Sequence, residues 1–394
     1  MLSKYRPVLA MPGAARLFAS ALVARLPQGM APLAVLLLVR GATHSYTAAG
    51  VAVGAQALAT AGCAPFVGRL VDLIGRRRVL GPMAAAQAVM YALLVVAADA
   101  RASAVALVVL AGLAGALLPP IAPVVRVLLG EMFEDVAVRE TAYSLEAVLQ
   151  ELIWITGPLI VALAIALTSA SNVVALLGVV CLGGTAVFLR SPLTRADAAA
   201  PTERRSALSS PELRALLAPI ALTGAGLGAI EVGLPSLALH AGSRPASGLL
   251  LALWSLGSMV GGLWYGSRVW RSPLRTRYQT LLAVAVLCTA PLIAARSITA
   301  GMLCSVLAGL TIAPMFSCQY ALVGRSVSAG SETEAFTWVS AALIGGLSAG
   351  SALGGAAIGQ AGVSAPFVIS CAATMLAALL AVGRRRPARA RQPA

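Results

Sequence analysis

Charged side chains are scarce in this sequence, at 11% of 394 residues, where ordinary soluble proteins carry about 25%. With 59% hydrophobic residues and a mean hydropathy of +0.89, too little polar surface exists to cover a water-soluble globule. The apolar excess runs the whole length, which also excludes a soluble enzyme held by one anchor. Only two histidines occur, His44 and His240, both near predicted helix ends and away from any cysteine pair. Metal-ligand spacing is therefore absent, and no metal or other cofactor is expected. The six cysteines, Cys63, Cys181, Cys288, Cys304, Cys318 and Cys371, all lie inside apolar runs. They read as small hydrophobes and imply no disulfide framework. Aromatic residues are thin at 5%, and no basic stretch is interleaved with stacking rings, so the net charge of +15 is no nucleic-acid footprint. A phosphate loop of the Gly-x4-Gly-Lys-Ser/Thr kind is missing, which removes ATP as an energy source within the chain. No catalytic cluster is found either, so an enzyme is not expected.

What is abundant is apolar sequence in segments of crossing length. Dividing the chain at charged and Gly/Pro-rich breaks gives twelve runs: 17–39, 46–70, 79–98, 104–127, 142–168, 173–189, 213–239, 247–268, 278–295, 298–322, 334–357 and 364–383. Each is near the roughly 20 residues that cross a bilayer as a helix. In lipid only helices and closed barrels satisfy the backbone, and continuous apolar runs exclude the alternating barrel pattern. The fold class is therefore an all-α polytopic membrane protein. The first run is too long for a signal peptide and contains Arg25, so it reads as a mature helix.

Basic residues give the expected orientation. Twenty-four of the 29 Lys and Arg fall before the first run, in alternate loops and in the tail, including Arg69, Arg139, Arg190, Arg268, Arg277, Arg325 and Arg384. The other face holds four, Arg40, Arg101, Arg244 and Arg296, and Arg25 sits within the first run. Such asymmetry predicts cytoplasmic N- and C-termini. The preference for Arg over Lys, with high Ala content, suggests a GC-rich bacterium and hence its cytoplasmic membrane.

The polar stretch around Arg190 to Ser210 halves the chain. We read 1–190 as an N-terminal six-helix bundle, 191–212 as a cytoplasmic linker, 213–383 as a C-terminal six-helix bundle and 384–394 as a basic tail. Ser210-Pro211-Glu212 has the form of an N-cap, a first-turn proline and a dipole-compatible acid. Ser331-x-x-Glu334 reads as a capping box ahead of the eleventh run. Internal matches recur at near-constant offset: Leu110-Ala-Gly-Leu113 with Leu307-Ala-Gly-Leu310, Ala142-Tyr143-Ser144 with Ala335-Phe336-Thr337, and Gly68-x-x-x-Asp72 with Gly262-x-x-x-Gly266. A parallel six-helix repeat is the signature of a two-bundle secondary transporter.

Between the second and third runs stands Gly68-Arg-Leu-Val-Asp72-Leu-Ile-Gly75-Arg76-Arg77-Arg78. Gly68 permits close helix approach, Asp72 can meet basic groups or a helix N-terminus, and Gly75 allows the turn. This stretch closely resembles the conformational loop motif of the major facilitator superfamily, with Leu73 where that family commonly carries Arg. Gly157-Pro158 in the fifth run is similar to the core of the glycine-rich motif of its antiporters. The resemblance covers the whole chain and is to the 12-helix bacterial efflux type. It implies two pseudo-symmetric six-helix bundles and proton-coupled export, by alternating access, of a small organic or amphipathic compound. Proton-coupled uptake of a sugar, nucleoside or similar solute is the other transport reading. A non-transporting receptor or membrane enzyme is the remote one, for want of a signalling domain or catalytic cluster. The expected partners are a small-molecule substrate, protons and the lipid bilayer, with the chain a monomer.

Ionisable groups inside apolar runs narrow the site. Arg25, Glu146, Glu151 and Glu231 fall there, and each costs about 2.5 to 3.5 kcal/mol to insert even on the lenient scale. Such groups face a cavity or a partner. Glu151 shares a face with Trp154 and Pro158, and Arg25 with Gln28 and Pro32. We expect Glu151 or Glu231 to carry the proton and Arg25 to pair with one of them. Glu146 is expected to meet loop arginines near the cytoplasmic end. Gln28, Tyr143, Gln150, Trp154 and Trp254 are the expected lining of the substrate cavity.

Overall fold

The computed structural model describes residues 4–194 and 206–382. Residues 195–205 of the expected linker and the basic tail 384–394 lie outside the described residues. After a short helix, Arg6–Ala10, the described residues form twelve long helices. They are α1 (Ala14–Thr43), α2 (Tyr46–Ile74), α3 (Arg76–Asp99), α4 (Ala104–Met132), α5 (Val136–Leu167) and α6 (Ala170–Leu189), then α7 (Pro211–His240), α8 (Arg244–Gly266), α9 (Leu274–Ala294), α10 (Ile298–Gly324), α11 (Glu332–Ala361) and α12 (Ala365–Val382). Eleven are long and apolar enough to cross a membrane. The twelfth has 18 residues, about 27 Å at 1.5 Å per residue. The twelve-helix expectation holds, with most helices a few residues longer than the apolar runs alone indicate.

Local chemistry sets the ends. Ser45, Ser103, Asp135, Ser169, Ser210 and Ser297 each accept a hydrogen bond from a first-turn backbone N–H, which satisfies a donor the helix itself cannot. The expected start of α7 is found: Ser210 Oγ accepts from the Leu213 N–H at 3.2 Å. The turn from α2 to α3 rests on Gly75 at φ 96°, a left-handed value that favours glycine. Three crossings are interrupted. Pro119 and Pro120 break α4 into Ala104–Ala116 and Ile121–Met132, its symmetry mate α10 breaks between Gly309 and Ile312, and α9 breaks at Ala290.

Within each half, helices meet backbone to backbone through glycine. Gly157 of α5 lies on Gly29 of α1, Gly115 of α4 on Gln56 of α2, and Gly184 of α6 on Ala24 of α1. The second half repeats the scheme: Gly346 and Gly350 of α11 lie on Ala221 and Ala225 of α7 and Gly309 of α10 on Trp254 of α8, while Gly233 of α7 receives the Phe367 side chain of α12. Pairs α1/α5, α2/α4 and α1/α6 thus correspond to α7/α11, α8/α10 and α7/α12, the equivalence that the internal sequence matches anticipate. Lipid offers no hydrophobic driving force between helices, so close van der Waals approach at small residues supplies the cohesion.

Adjacent glycines of α11 separate packing from helix propensity. A Cβ at Gly346 would collide with the Ala221 carbonyl, whereas one at Gly345 meets nothing within 4 Å. Gly346→Leu is expected to destabilise the protein by about 1 to 3 kcal/mol, while Gly345→Leu changes thermal unfolding in detergent little. Equal melting temperatures for the two variants would contradict this packing.

Candidate functional site

The halves join at one end, the end that carries the basic loops. Asp72, on the last turn of α2, accepts hydrogen bonds from the backbone N–H groups of Thr333 (3.2 Å) and Glu334 (2.8 Å) at the start of α11. This corrects the capping-box expectation. Ser331 makes no side-chain cap, because an acid from the other half occupies the positive end of the helix, where a negative charge is favourable. The Glu334 carboxylate instead accepts from Ser206 Oγ at 2.6 Å. Gly68, one turn up α2, has Thr337 of α11 where a Cβ would stand. Of the basic triplet, Arg76 is buried and pairs with Glu131, Arg77 donates to the Leu189 carbonyl at 2.9 Å, and Arg78 is exposed.

The second seam lies between α5 and α8. Ser144 donates to the Gly262 carbonyl at 2.6 Å and Thr141 to the Gly266 carbonyl at 3.0 Å. Tyr5 donates to the Leu263 carbonyl at 2.9 Å. Glu140, at the foot of α5, holds Arg277 of α9 by two hydrogen bonds of 2.7 and 2.9 Å and lies 3.4 Å from Arg325. Arg277 also donates to the Tyr265 hydroxyl at 2.8 Å. Every hydrogen bond between the halves among the described residues lies at this end. Beyond it the most apolar stretches of α2 and α11 are only 17% and 11% buried. The arrangement is a two-bundle cleft closed at the basic end.

Inside the first bundle the structure redistributes the expected pairs. Arg25 pairs with Glu146, at 2.8 and 3.0 Å, and with the Gln150 side-chain oxygen. It meets neither Glu151 nor Glu231, because Glu146 and Gln150 lie on the α1-facing side of α5 with Ile153 and Gly157, while Glu151 is turned toward α8. Glu146 is 0% exposed, so it is a buried counter-charge, not a partner of loop arginines. Arg126 is likewise buried in α4, not at a loop. Its Nε is 3.7 Å from Glu146 and its guanidinium lies 4.0 Å over the Tyr320 ring of α10, a cation–π contact between the halves.

Glu151 and Glu231 have no ion-pair partner among the described residues. Glu151 is buried where α5 meets α8, and Glu231 on α7 is exposed. Trp154, 45% exposed, occupies the same arc of α5 as Glu151, between the α1-facing and α8-facing positions. Leu159 and Leu163, exposed on the opposite arc, face lipid. Gln28 is half-buried on α1, one residue from the Gly29–Gly157 crossing that precedes Pro158. Two of the expected lining residues are buried. Tyr143 is buried at the closed end, edge-on to Tyr320 at 6.3 Å between centroids. Trp254 is buried in the core on α10, and its indole N–H has no partner.

Sequence reasoning counts Arg126 and Arg277 only among the orienting basic residues of the loops and passes over Glu140 and Tyr320. For Glu140 a signal exists: it closes a run of four acids, Glu131, Glu134, Asp135 and Glu140, on a face of the chain otherwise dominated by positive charge. Among the described residues no group of three His, Cys, Asp or Glu is placed to hold a metal ion.

A membrane protein of two equivalent helical bundles flanking a cleft belongs to the class of carriers. The model of the Major Facilitator Superfamily matches residues 17–303, well over half of the chain, and the chain belongs to that family. Solved structures share the fold. The human organic anion transporter MFSD10 (TETRAN) aligns with TM-score 0.76 and 18% identity over 94% of this chain and 99% of that one. A bacterial homologue of the iron transporter ferroportin, in an outward-facing state with soaked iron, gives 0.71 and 16% over 93% and 98%. The transporter FucP, in the outward conformation, gives 0.71 and 13% over 93% and 97%. No curated protein matches by sequence. The chain is a membrane transporter of the secondary-transporter kind.

Two outcomes follow. Glu146→Gln leaves two buried guanidinium groups without a counter-charge, and a loss of about 3 to 5 kcal/mol is expected; an unchanged melting temperature would show the cluster to be solvated. Glu140→Gln removes the charge that Arg277 and Arg325 share. Spin labels at exposed Arg78 and Ser272 should then report a population with a longer separation, raised about tenfold for a 1.4 kcal/mol change. A distance distribution like that of the parent would argue against Glu140 as a clamp.

Proposed function

We propose that this protein exports a small organic or amphipathic compound in exchange for protons, by rocking the bundles 1–190 and 213–383 about the linker 191–212. The observation that carries the reading is the charge left over inside the membrane. Arg25 and Arg126 are set against Glu146, so Glu151 and Glu231 are the acids without an arginine. The five groups together hold two positive and three negative charges, a surplus of one that a single proton removes. A buried uncompensated charge is costly, so proton occupancy is tied to whether the cleft is open to water or closed around substrate.

Glu151 suits the carrier role because it lies at the α5–α8 junction, which must separate when the basic end opens. Glu231 stands on α7 of the other bundle and is exposed. Trp154 and Gln28 offer an apolar surface and an amide near the acids, a lining fit for an amphipathic compound. The similarity of Gly157-Pro158 to the antiporter motif favours exchange and export. With the basic end cytoplasmic, the closed seam is the inner gate of a monomer in a bacterial cytoplasmic membrane.

Proteoliposomes with an imposed pH gradient and an entrapped pH dye test the reading, using compounds first chosen by thermal stabilisation of the purified protein. Glu151→Gln and Glu231→Gln are expected to reduce gradient-driven transport at least about tenfold while downhill exchange persists in one of them. Intact gradient-driven transport in both single variants and in the double would eliminate these acids as carriers.

A further inference from the structure

A second polar cavity, of about 420 Å³, lies at the basic end beside the Glu140 clamp. Its walls come from the foot of α5, the turn between α8 and α9, and Arg325. Three arginines line it, Arg268, Arg277 and Arg325, against two acids, Asp135 and Glu140. Both acids are engaged. Asp135 caps α5 by accepting from the Ala137 and Val138 N–H groups, and Glu140 holds Arg277 and Arg325. Arg268 has no ion-pair partner among the described residues and lies 5.5 Å over the Trp264 ring. Arg277 is 7% exposed, yet its Nε has no hydrogen-bond partner. The first turn of α9 also borders the cavity, and Pro273 gives it no side-chain cap. A positive surplus, a buried guanidinium N–H without an acceptor and an uncapped helix N-terminus all favour an anion with several oxygen acceptors.

We propose that this cavity binds a phosphate-type anion, and that the bound anion competes with Glu140 for Arg277 and Arg325. Binding then weakens the inter-bundle clamp and favours opening of the basic end. The phosphate can come from an anionic lipid headgroup or from free phosphate. The surroundings favour the headgroup: Trp264 is 40% exposed and edge-on to Trp270 at 5.7 Å, and exposed tryptophan of this kind marks headgroup level. This site is separate from the acids Glu151 and Glu231, and its occupancy does not depend on how transport is coupled.

The test is a binding titration of the purified full chain in neutral detergent with two probes, dihexanoyl phosphatidylglycerol and inorganic phosphate. Saturable binding of the lipid, about tenfold weaker in Arg268→Gln and Arg277→Lys as for loss of one charged contact, supports the site with a headgroup as source. The same pattern for inorganic phosphate supports it with a soluble anion as source. Arg268 is exposed and outside the clamp, so Arg268→Gln keeps the comparison valid if Arg277→Lys fails to fold. In a spin-label pair at exposed Arg78 and Thr276, both outside the cavity lining, the probe that binds should lengthen the separation. No saturable binding of either probe, or equal affinity in both variants, overturns the proposal, and binding without a change in separation overturns its link to the clamp.

Discussion

Lipid supplies neither hydrogen bonds nor counter-charges, so a chain that crosses it twelve times has to match its polar groups from within. That demand makes the secondary structure helical and selects how helices join. At mid-membrane they touch through bare backbone, Gly157 on Gly29 and Gly350 on Ala225, where nothing polar needs a partner. Where a charge does enter, a second charge enters with it: Arg25 meets Glu146, and Arg126 stands between Glu146 and the Tyr320 ring. The residues left out of this matching, Glu151 and Glu231, are for that reason the candidates for function.

The same distinction separates rigid contacts from switchable ones. Contacts inside a half are mainly close approaches of apolar backbone, lost wholesale if the helices part. Contacts between the halves include the Asp72 cap on α11, the Ser144 and Thr141 bonds to α8 and the Glu140 clamp. These are at the end of the helices, beside the basic loops, where water can take the place of a partner that leaves.

The layout of the fold was legible in the sequence because its signals are local or periodic. Twelve apolar runs become helices, Ser210 caps α7, and Gly75 turns the chain between α2 and α3. The repeat was legible too, although at the α2/α4 and α8/α10 crossings Gly309 answers to Gly115 and not to Gly112, the residue that the Leu110-Ala-Gly-Leu113 match sets against it. Partners were not. Which acid Arg25 meets depends on the rotation of α5 about its axis, and in a helix apolar on nearly every side the hydrophobic pattern does not fix that rotation. Glu146 and Glu151 differ by five positions, enough to turn one toward α1 and the other toward α8. Ser331 shows the same limit: the sequence offers a local cap, and Asp72 from a distant helix displaces it. The neighbours of Trp254 and Tyr143 were not legible for a related reason, because depth along a helix says nothing about which neighbour its side chain meets.

This division explains why the seam is polar at all. Two states that interconvert must differ by only a few kcal/mol. An apolar seam of equal area would hold one state too firmly, since its burial energy is lost entirely on opening. A hydrogen bond exchanged for water at a membrane surface costs about 0.5 to 1.5 kcal/mol, so a handful of them can hold a gate without locking it. Glu140 fits this logic, with 13% of its side chain exposed, as does Asp72, whose acceptors are released to water when α11 moves away. Glu151 lies deeper on the same α5 face as Ser144, so opening that seam far enough also changes the surroundings of the acid. Gate and carboxylate share one helix face, and movement of the first is thereby felt by the second.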